Sequence, residues 1–219
     1  MLEVQHLNAW WGQAQALFDV SLRVGAGELV VLQGLNGAGK STLLQAIMGL
    51  GPRCTARISC APGVAGELAE GMEAWPPHRR AQWGLGYVAE DRRLWAGLSV
   101  QDNLNLAARG SRAVQADNRQ RVLGLFPALQ AMLQRPASQM SGGEQQMLAI
   151  ARTLMTAPRF LLLDEPCEGI APVLVESIAE ALWQLKQAGM PMLVAEQNQV
   201  LASRADRVLT LVAGQIQAS

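Results

Sequence analysis

The chain has 219 residues, half of them apolar, enough to bury one substantial α/β core and too few for two independent domains. Eighteen basic residues balance eighteen acidic ones, so no global field draws the chain to DNA or RNA and no nucleic-acid partner is expected. The longest apolar stretches, such as Phe160 to Leu163, are far too short to cross a bilayer, and Glu3 without a basic leader speaks against a signal peptide, so the chain is expected to be cytosolic.

Residues 1–33 open with alternating apolar and polar runs, Leu2-Glu3-Val4 and Val20 to Val24, and predict a β-rich start. An apolar strand, Leu29 to Leu32, leads into Gly34-Leu35-Asn36-Gly37-Ala38-Gly39-Lys40-Ser41-Thr42. This is the G-x4-G-K-[ST] pattern of a phosphate-binding loop. Glycines 34, 37 and 39 let the backbone turn tightly with its N–H groups inward, Lys40 is placed to reach β- and γ-phosphate oxygens, and the Ser41 hydroxyl suits Mg²⁺. A helix with apolar Leu43, Leu44, Ile47 and Met48 follows, presents its positive end to the phosphates and stops at Gly49. These residues predict binding of a nucleoside triphosphate.

Gly51 to Gly71 is weakly specified, with one strand expected near Ala56 to Cys60. Pro76-Pro77 begins a short helix, and Gly84 to Val88 returns to strand. Ser99 caps a helix with Asp102 at its third position, and helix is expected from there to Leu133. After this insertion come a continuous apolar strand, Phe160 to Leu163, a helix from about Val173 to Ala188, and strands at Met192 to Ala195 and Val208 to Val212. Continuous apolar strands alternating with helix predict a parallel sheet. Cys54, Cys60 and Cys167 are odd in number and lack a metal-like pair, so they are expected to be reduced and without chemistry.

Two further groups carry chemistry. Asp164 ends the Phe160 strand at the carboxyl edge where ligands gather, and Glu165 follows it. Since successive strand residues point to opposite sides, one acid is expected to hold Mg²⁺ and the other to face the attacking water. Ser141-Gly142-Gly143-Glu144 forms a capping box ahead of an apolar helical face, and its double glycine leaves first-turn N–H groups open to an anion.

GLNGAGKST, MSGGEQQ and LLLDEP, in that order and with a helical insertion between the first two, resemble the ATP-binding cassette (ABC) ATPases over nearly the whole chain. YVAEDRRLW, DEPCEGIAP and AEQN are most similar to the ATPase subunits of branched-chain amino acid importers of the hydrophobic amino acid uptake group. The resemblance implies an α/β P-loop NTPase fold of the ABC type: a RecA-like mixed sheet core (residues 1–88 and 157–219) with an antiparallel β subdomain and a helical subdomain inserted at about 89–156. It implies an ATPase using ATP and Mg²⁺ that energises import of branched-chain amino acids or related small polar or amide solutes, cytoplasmic and peripheral on the inner face of the membrane. Expected partners are a second ABC ATPase subunit (homo- or heterodimer), transmembrane permease subunits and, indirectly, a periplasmic or extracellular binding protein.

By the same resemblance, Glu165 is the catalytic carboxylate. Glu90 stands where most cassettes have a glutamine contacting Mg²⁺ and water, and Gln197 stands at the usual switch-histidine position. Gln197 cannot carry a positive charge and offers only a neutral amide donor. Nucleotide contacts are expected from Trp11, Asn36, Gly37, Ala38, Gly39, Lys40, Ser41 and Thr42. Trp11 matches the adenine-stacking aromatic, with Trp10 as its competitor. A second molecule would contribute Ser141, Gly142, Gly143 and Glu144; Ser41, Glu90 and Asp164 are the Mg²⁺ candidates. A groove near Glu90 to Leu98, with Leu94 and Trp95 as apolar anchors, is expected to meet the permease. A non-transport cassette using ATP as a dimerisation switch is the alternative; a GTPase or small-molecule kinase is disfavoured because no N-K-x-D stretch is present.

Overall fold

The computed structural model describes residues 1–61 and 69–217. Antiparallel β1 (Leu2–Trp11), β2 (Ala14–Val24) and β4 (Arg53–Cys60) form a three-stranded sheet in the order β2-β1-β4. Between them in sequence lie β3 (Leu29–Gln33) and α1 (Lys40–Met48). α2 (Pro77–Trp83) and β5 (Leu85–Val88) follow, then four helices, α3 (Val100–Ala107), α4 (Arg112–Leu125), α5 (Pro127–Gln130) and α6 (Gly142–Leu154). The chain closes with β6 (Phe160–Asp164), α7 (Pro172–Gln187), β7 (Met192–Ala195), α8 (Gln199–Arg204), β8 (Arg207–Val212) and β9 (Gln215–Ile216). The second sheet runs β5-β6-β7-β3-β8-β9, parallel throughout except for β9.

The continuous apolar strands are the central ones, and their period of two divides the core. Leu29, Val31, Leu161, Leu163, Met192 and Val194 pack with the buried side chains of α6 and α7. Their neighbours Val30, Leu32, Phe160, Leu162, Leu193 and Ala195 pack with α1 and the antiparallel sheet. Each of these strand residues is at most 1% exposed, which is why the strands read as apolar runs rather than as alternation.

The weakly specified stretch contains a longer strand than expected, Arg53–Cys60; residues 62–68 of it lie outside the described residues. The helical insertion departs from the unbroken helix expected to Leu133. Gly110 takes a left-handed φ of 90°, Ser111 caps α4 by accepting from the Val114 N–H, and Pro127 starts α5. Three punctuation residues therefore outweigh the helical tendency of the residues between them. The three cysteines are free, with Cys60 and Cys167 buried and Cys54 half-buried. Burial holds the Cys60 thiol at about 11, so it stays protonated and inert.

Candidate functional site

At the carboxyl ends of β3 and β6 a cleft of about 660 Å³ is lined by Trp11, Phe18, Asn36, Gly37, Gly39, Lys40, Ser41, Thr42, Glu90, Glu165 and Glu168. The strand order places it beside the junction of β3, β7 and β6, where the carboxyl edges of parallel strands open toward a ligand. Gly37 and Gly39 adopt φ of 82° and 107°, the left-handed turn expected of them. Gly34 is there for a different reason: a Cβ on it would collide with the Leu211 carbonyl oxygen of β8. Gly39, Lys40 and Ser41 head α1, so their N–H groups have no intrahelical acceptor and face the cleft end of the helix. The Ala38 N–H, in contrast, is turned inward to the Leu35 carbonyl at 3.0 Å.

Lys40 is 4% exposed. Its Nζ donates to the Gly34 carbonyl at 2.8 Å and to the Leu35 carbonyl at 3.3 Å, and it pairs with Glu165 Oε1 at 2.9 Å. Ser41 Oγ donates to Asp164 Oδ1 at 2.9 Å, while Tyr87 Oη donates to Asp164 Oδ2 at 3.0 Å. Burial pushes the Asp164 carboxyl up, and the two hydroxyl donors oppose that push by favouring the charged form. Burial likewise raises Glu165, but the hydrogen bond and charge of Lys40 outweigh it and hold Glu165 below the ordinary carboxylate range. The neighbouring Glu165 carboxylate in turn raises Glu168.

Only Glu165 lines the cleft; Asp164, 1% exposed, meets it through its bond to the lining residue Ser41, and strand alternation does not set this difference. β6 ends at Asp164, and Glu165 has a φ of 46°, so the backbone turns left-handed there and redirects the second acid. Trp11 lines the cleft, is 48% exposed, and its Nε1–H donates to Thr42 Oγ1 at 3.2 Å. Its rival Trp10 is not in the cleft lining; it lies under the Arg53 guanidinium, 4.9 Å from the ring centroid. Gln197 Nε2 donates to Asn36 Oδ1 at 2.6 Å, tying the loop after β7 to the phosphate-binding loop.

Ser141, Gly142, Gly143 and Glu144 are not brought into this cleft. They form the N-terminus of α6 with the expected capping box: Ser141 Oγ accepts from the Glu144 N–H, and Glu144 Oε2 accepts from the Ser141 N–H at 2.7 Å. Arg92 lies beside Gly142 and donates to Gln145 and Gln146. A second groove, of about 360 Å³, includes Tyr87, Arg92, Arg93, Trp95 and Arg152. Of the two residues expected as apolar anchors, Trp95 is 50% exposed under the Arg152 guanidinium, whereas Leu94 packs inward against the helical core. Among the described residues no group of three or more His, Cys, Asp or Glu side chains could hold a metal alone. A cation at Ser41 and Asp164 would need phosphate oxygens to complete its shell, which suits the hard-oxygen chemistry of Mg²⁺.

Sequence reading missed Tyr87, Phe18, Glu168 and Glu196. Tyr87 is separated from Asp164 by 77 residues, and no local pattern announces their hydrogen bond.

The family model described as ABC transporter matches residues 17–168, which include the phosphate-binding loop, the SGGEQ turn and Asp164-Glu165. The chain belongs to the ABC transporter family. It is an ATP-binding cassette of that family and an ATPase. It is 40% identical over 99% of its length to the high-affinity branched-chain amino acid transport ATP-binding protein BraG of Pseudomonas aeruginosa, covering 91% of that protein. It is 33% identical, again over 99% of its length, to the probable branched-chain amino acid transport ATP-binding protein LivF of Archaeoglobus fulgidus, covering 90% of it. A dimeric ATP-binding cassette solved in a post-hydrolysis state with ADP and phosphate superposes with a TM-score of 0.84 at 22% identity, covering all of this chain and 97% of that one, and shares its fold. The ABC cassette fold expected from the motifs is thus the fold observed. Among the described residues no helix of this cassette is long and apolar enough to cross a membrane.

Proposed function

We propose that this cassette energises import of branched-chain amino acids, working on the cytoplasmic face of a membrane beneath separate permease subunits and, indirectly, a binding protein that delivers the solute. The observation that carries the reading is the cleft itself: Lys40, Ser41, Asp164 and Glu165 are interlocked at hydrogen-bonding distance around the head of α1. The 40% identity to a branched-chain amino acid transport protein over 99% of the chain supports the solute class.

In this reading Trp11 stacks on adenine, the loop from Asn36 to Thr42 cradles the phosphates, and Lys40 exchanges its bond with Glu165 for β- and γ-phosphate oxygens. That exchange frees the Glu165 carboxylate to take a proton from the water attacking the γ-phosphorus, while the bond to the bridging oxygen of ADP breaks. Glu90 and the amide of Gln197 orient the water and the γ-phosphate. Ser41, Asp164 and Glu90 would hold Mg²⁺, which when bound offsets charge on the phosphate oxygens. The turn from Ser141 to Glu144, remote from its own cleft, closes on the nucleotide of a second cassette, identical or homologous, and the helical lobe at about 89–156 conveys closure to the permease through the groove around Trp95.

Reconstitution with the cognate permease and binding protein tests this. ATP turnover should rise when the binding protein is loaded with leucine, isoleucine or valine; stimulation by urea or a short amide instead would overturn the solute class.

A further inference from the structure

The loops that follow β6 and β7 are joined by one buried side chain. Glu196 is 4% exposed, and its carboxylate spans the two loops. Oε2 accepts from the Cys167 N–H at 2.9 Å; Oε1 accepts from the Gln197 N–H at 2.8 Å and from the Asn198 N–H at 3.0 Å. Backbone bonds flank this bridge: the Glu165 N–H reaches the Ala195 carbonyl at 2.9 Å, and the Glu196 N–H reaches the Leu32 carbonyl at 3.1 Å. Beyond it, the Gln197 amide reaches Asn36 of the phosphate-binding loop. The connected path therefore runs from the turn after Glu165, through Glu196, to Gln197 and the phosphate-binding loop.

We infer that Glu196 is a positioning residue for ATP hydrolysis, holding Gln197 and the Glu165–Glu168 turn in one frame. This rests on the proposed roles of Glu165 and Gln197. The chemistry requires a carboxylate. Three N–H donors converge on two oxygens, so both must be acceptors; a glutamine of the same shape would turn an NH₂ toward at least one donor. The buried charge is held by charge-assisted N–H bonds at 2.8 to 3.0 Å rather than by a cation. Among the described residues the Glu196 carboxylate makes no hydrogen bond to the loop from Asn36 to Thr42, so its loss should displace catalytic groups without dismantling the binding cradle.

The test compares Glu196→Gln, Glu196→Asp and Glu165→Gln with the parent cassette. It measures magnesium-ATP affinity at equilibrium, kcat at saturating ATP and the melting temperature. Glu196→Gln should lower kcat on the order of 10- to 100-fold, because small displacements of reacting groups are costly. Its ATP Kd should stay within about threefold, the signature of lost transition-state positioning rather than lost binding. Glu196→Asp keeps both acceptor oxygens but is one methylene shorter, so its kcat should fall between Glu196→Gln and the parent. Unchanged kcat in Glu196→Gln, affinity or melting temperature falling in step with kcat, or no recovery in Glu196→Asp would overturn the inference. Full activity in Glu165→Gln would instead remove the parent reading.

Discussion

The two halves of the proposed nucleotide site are built differently. On the phosphate-binding side, Lys40, Ser41, Asp164, Glu165 and Tyr87 come from β3's exit, β5 and β6 and are cross-bonded over separations of up to 125 residues. On the other side, the turn from Ser141 to Glu144 is held locally, its Ser141 and Glu144 side chains spent on capping α6. One half is tied together by long-range assembly; the other is a capped helix end that, in the proposed reading, gains a role only when another surface is brought to it. The contrast predicts which substitutions affect nucleotide binding within one chain and which affect only turnover.

The largest effect should come from Glu165→Gln, which removes the carboxylate paired with Lys40: hydrolysis should fall on the order of 10²- to 10⁴-fold while ATP still binds, measured as phosphate release beside equilibrium binding. Ser141→Arg places bulk and positive charge on the capped turn and should lower hydrolysis on the order of 100-fold, leaving ATP affinity of the isolated chain unchanged. Reduced affinity in that variant would mean that the two halves are not separate. Trp11→Ala should weaken ATP binding by about 1–3 kcal/mol, or about 5- to 150-fold, with no change in the affinity for inorganic triphosphate. Tyr87→Phe removes one donor from a buried carboxylate and should cost about 1 kcal/mol in denaturant unfolding.

Much of the phosphate-binding half was legible in the sequence because its signals are local. Gly37, Gly39, Lys40 and Ser41 are consecutive or nearly so, and the apolar runs at Leu29 and Phe160 mark strands buried on both faces. Asp164 and Glu165 are adjacent in the sequence, but only Glu165 lines the cleft, because it leaves the strand at a φ of 46°, a backbone reversal that adjacency does not announce. The motif predicts turning freedom at Gly34, yet what requires glycine there is the Leu211 carbonyl, a contact across 177 residues that spacing cannot reveal. Between its breaks the insertion is helical in composition, so the sequence alone predicts one run to Leu133; Gly110, Ser111 and Pro127 divide it. Glu196 meets Cys167 across 29 residues, a bond that only the fold shows.

The central claim is that one chain holds both halves of a site that forms only between two chains. Mixing Lys40→Ala with Ser141→Arg tests it most directly, since a mixed dimer would unite the intact cleft of one with the intact turn of the other. Each variant alone should be nearly inactive, and an equal mixture should recover up to about a quarter of parental hydrolysis, as random pairing in a two-fold dimer requires. A mixture no more active than its components, or parental turnover in Ser141→Arg alone, would contradict the account.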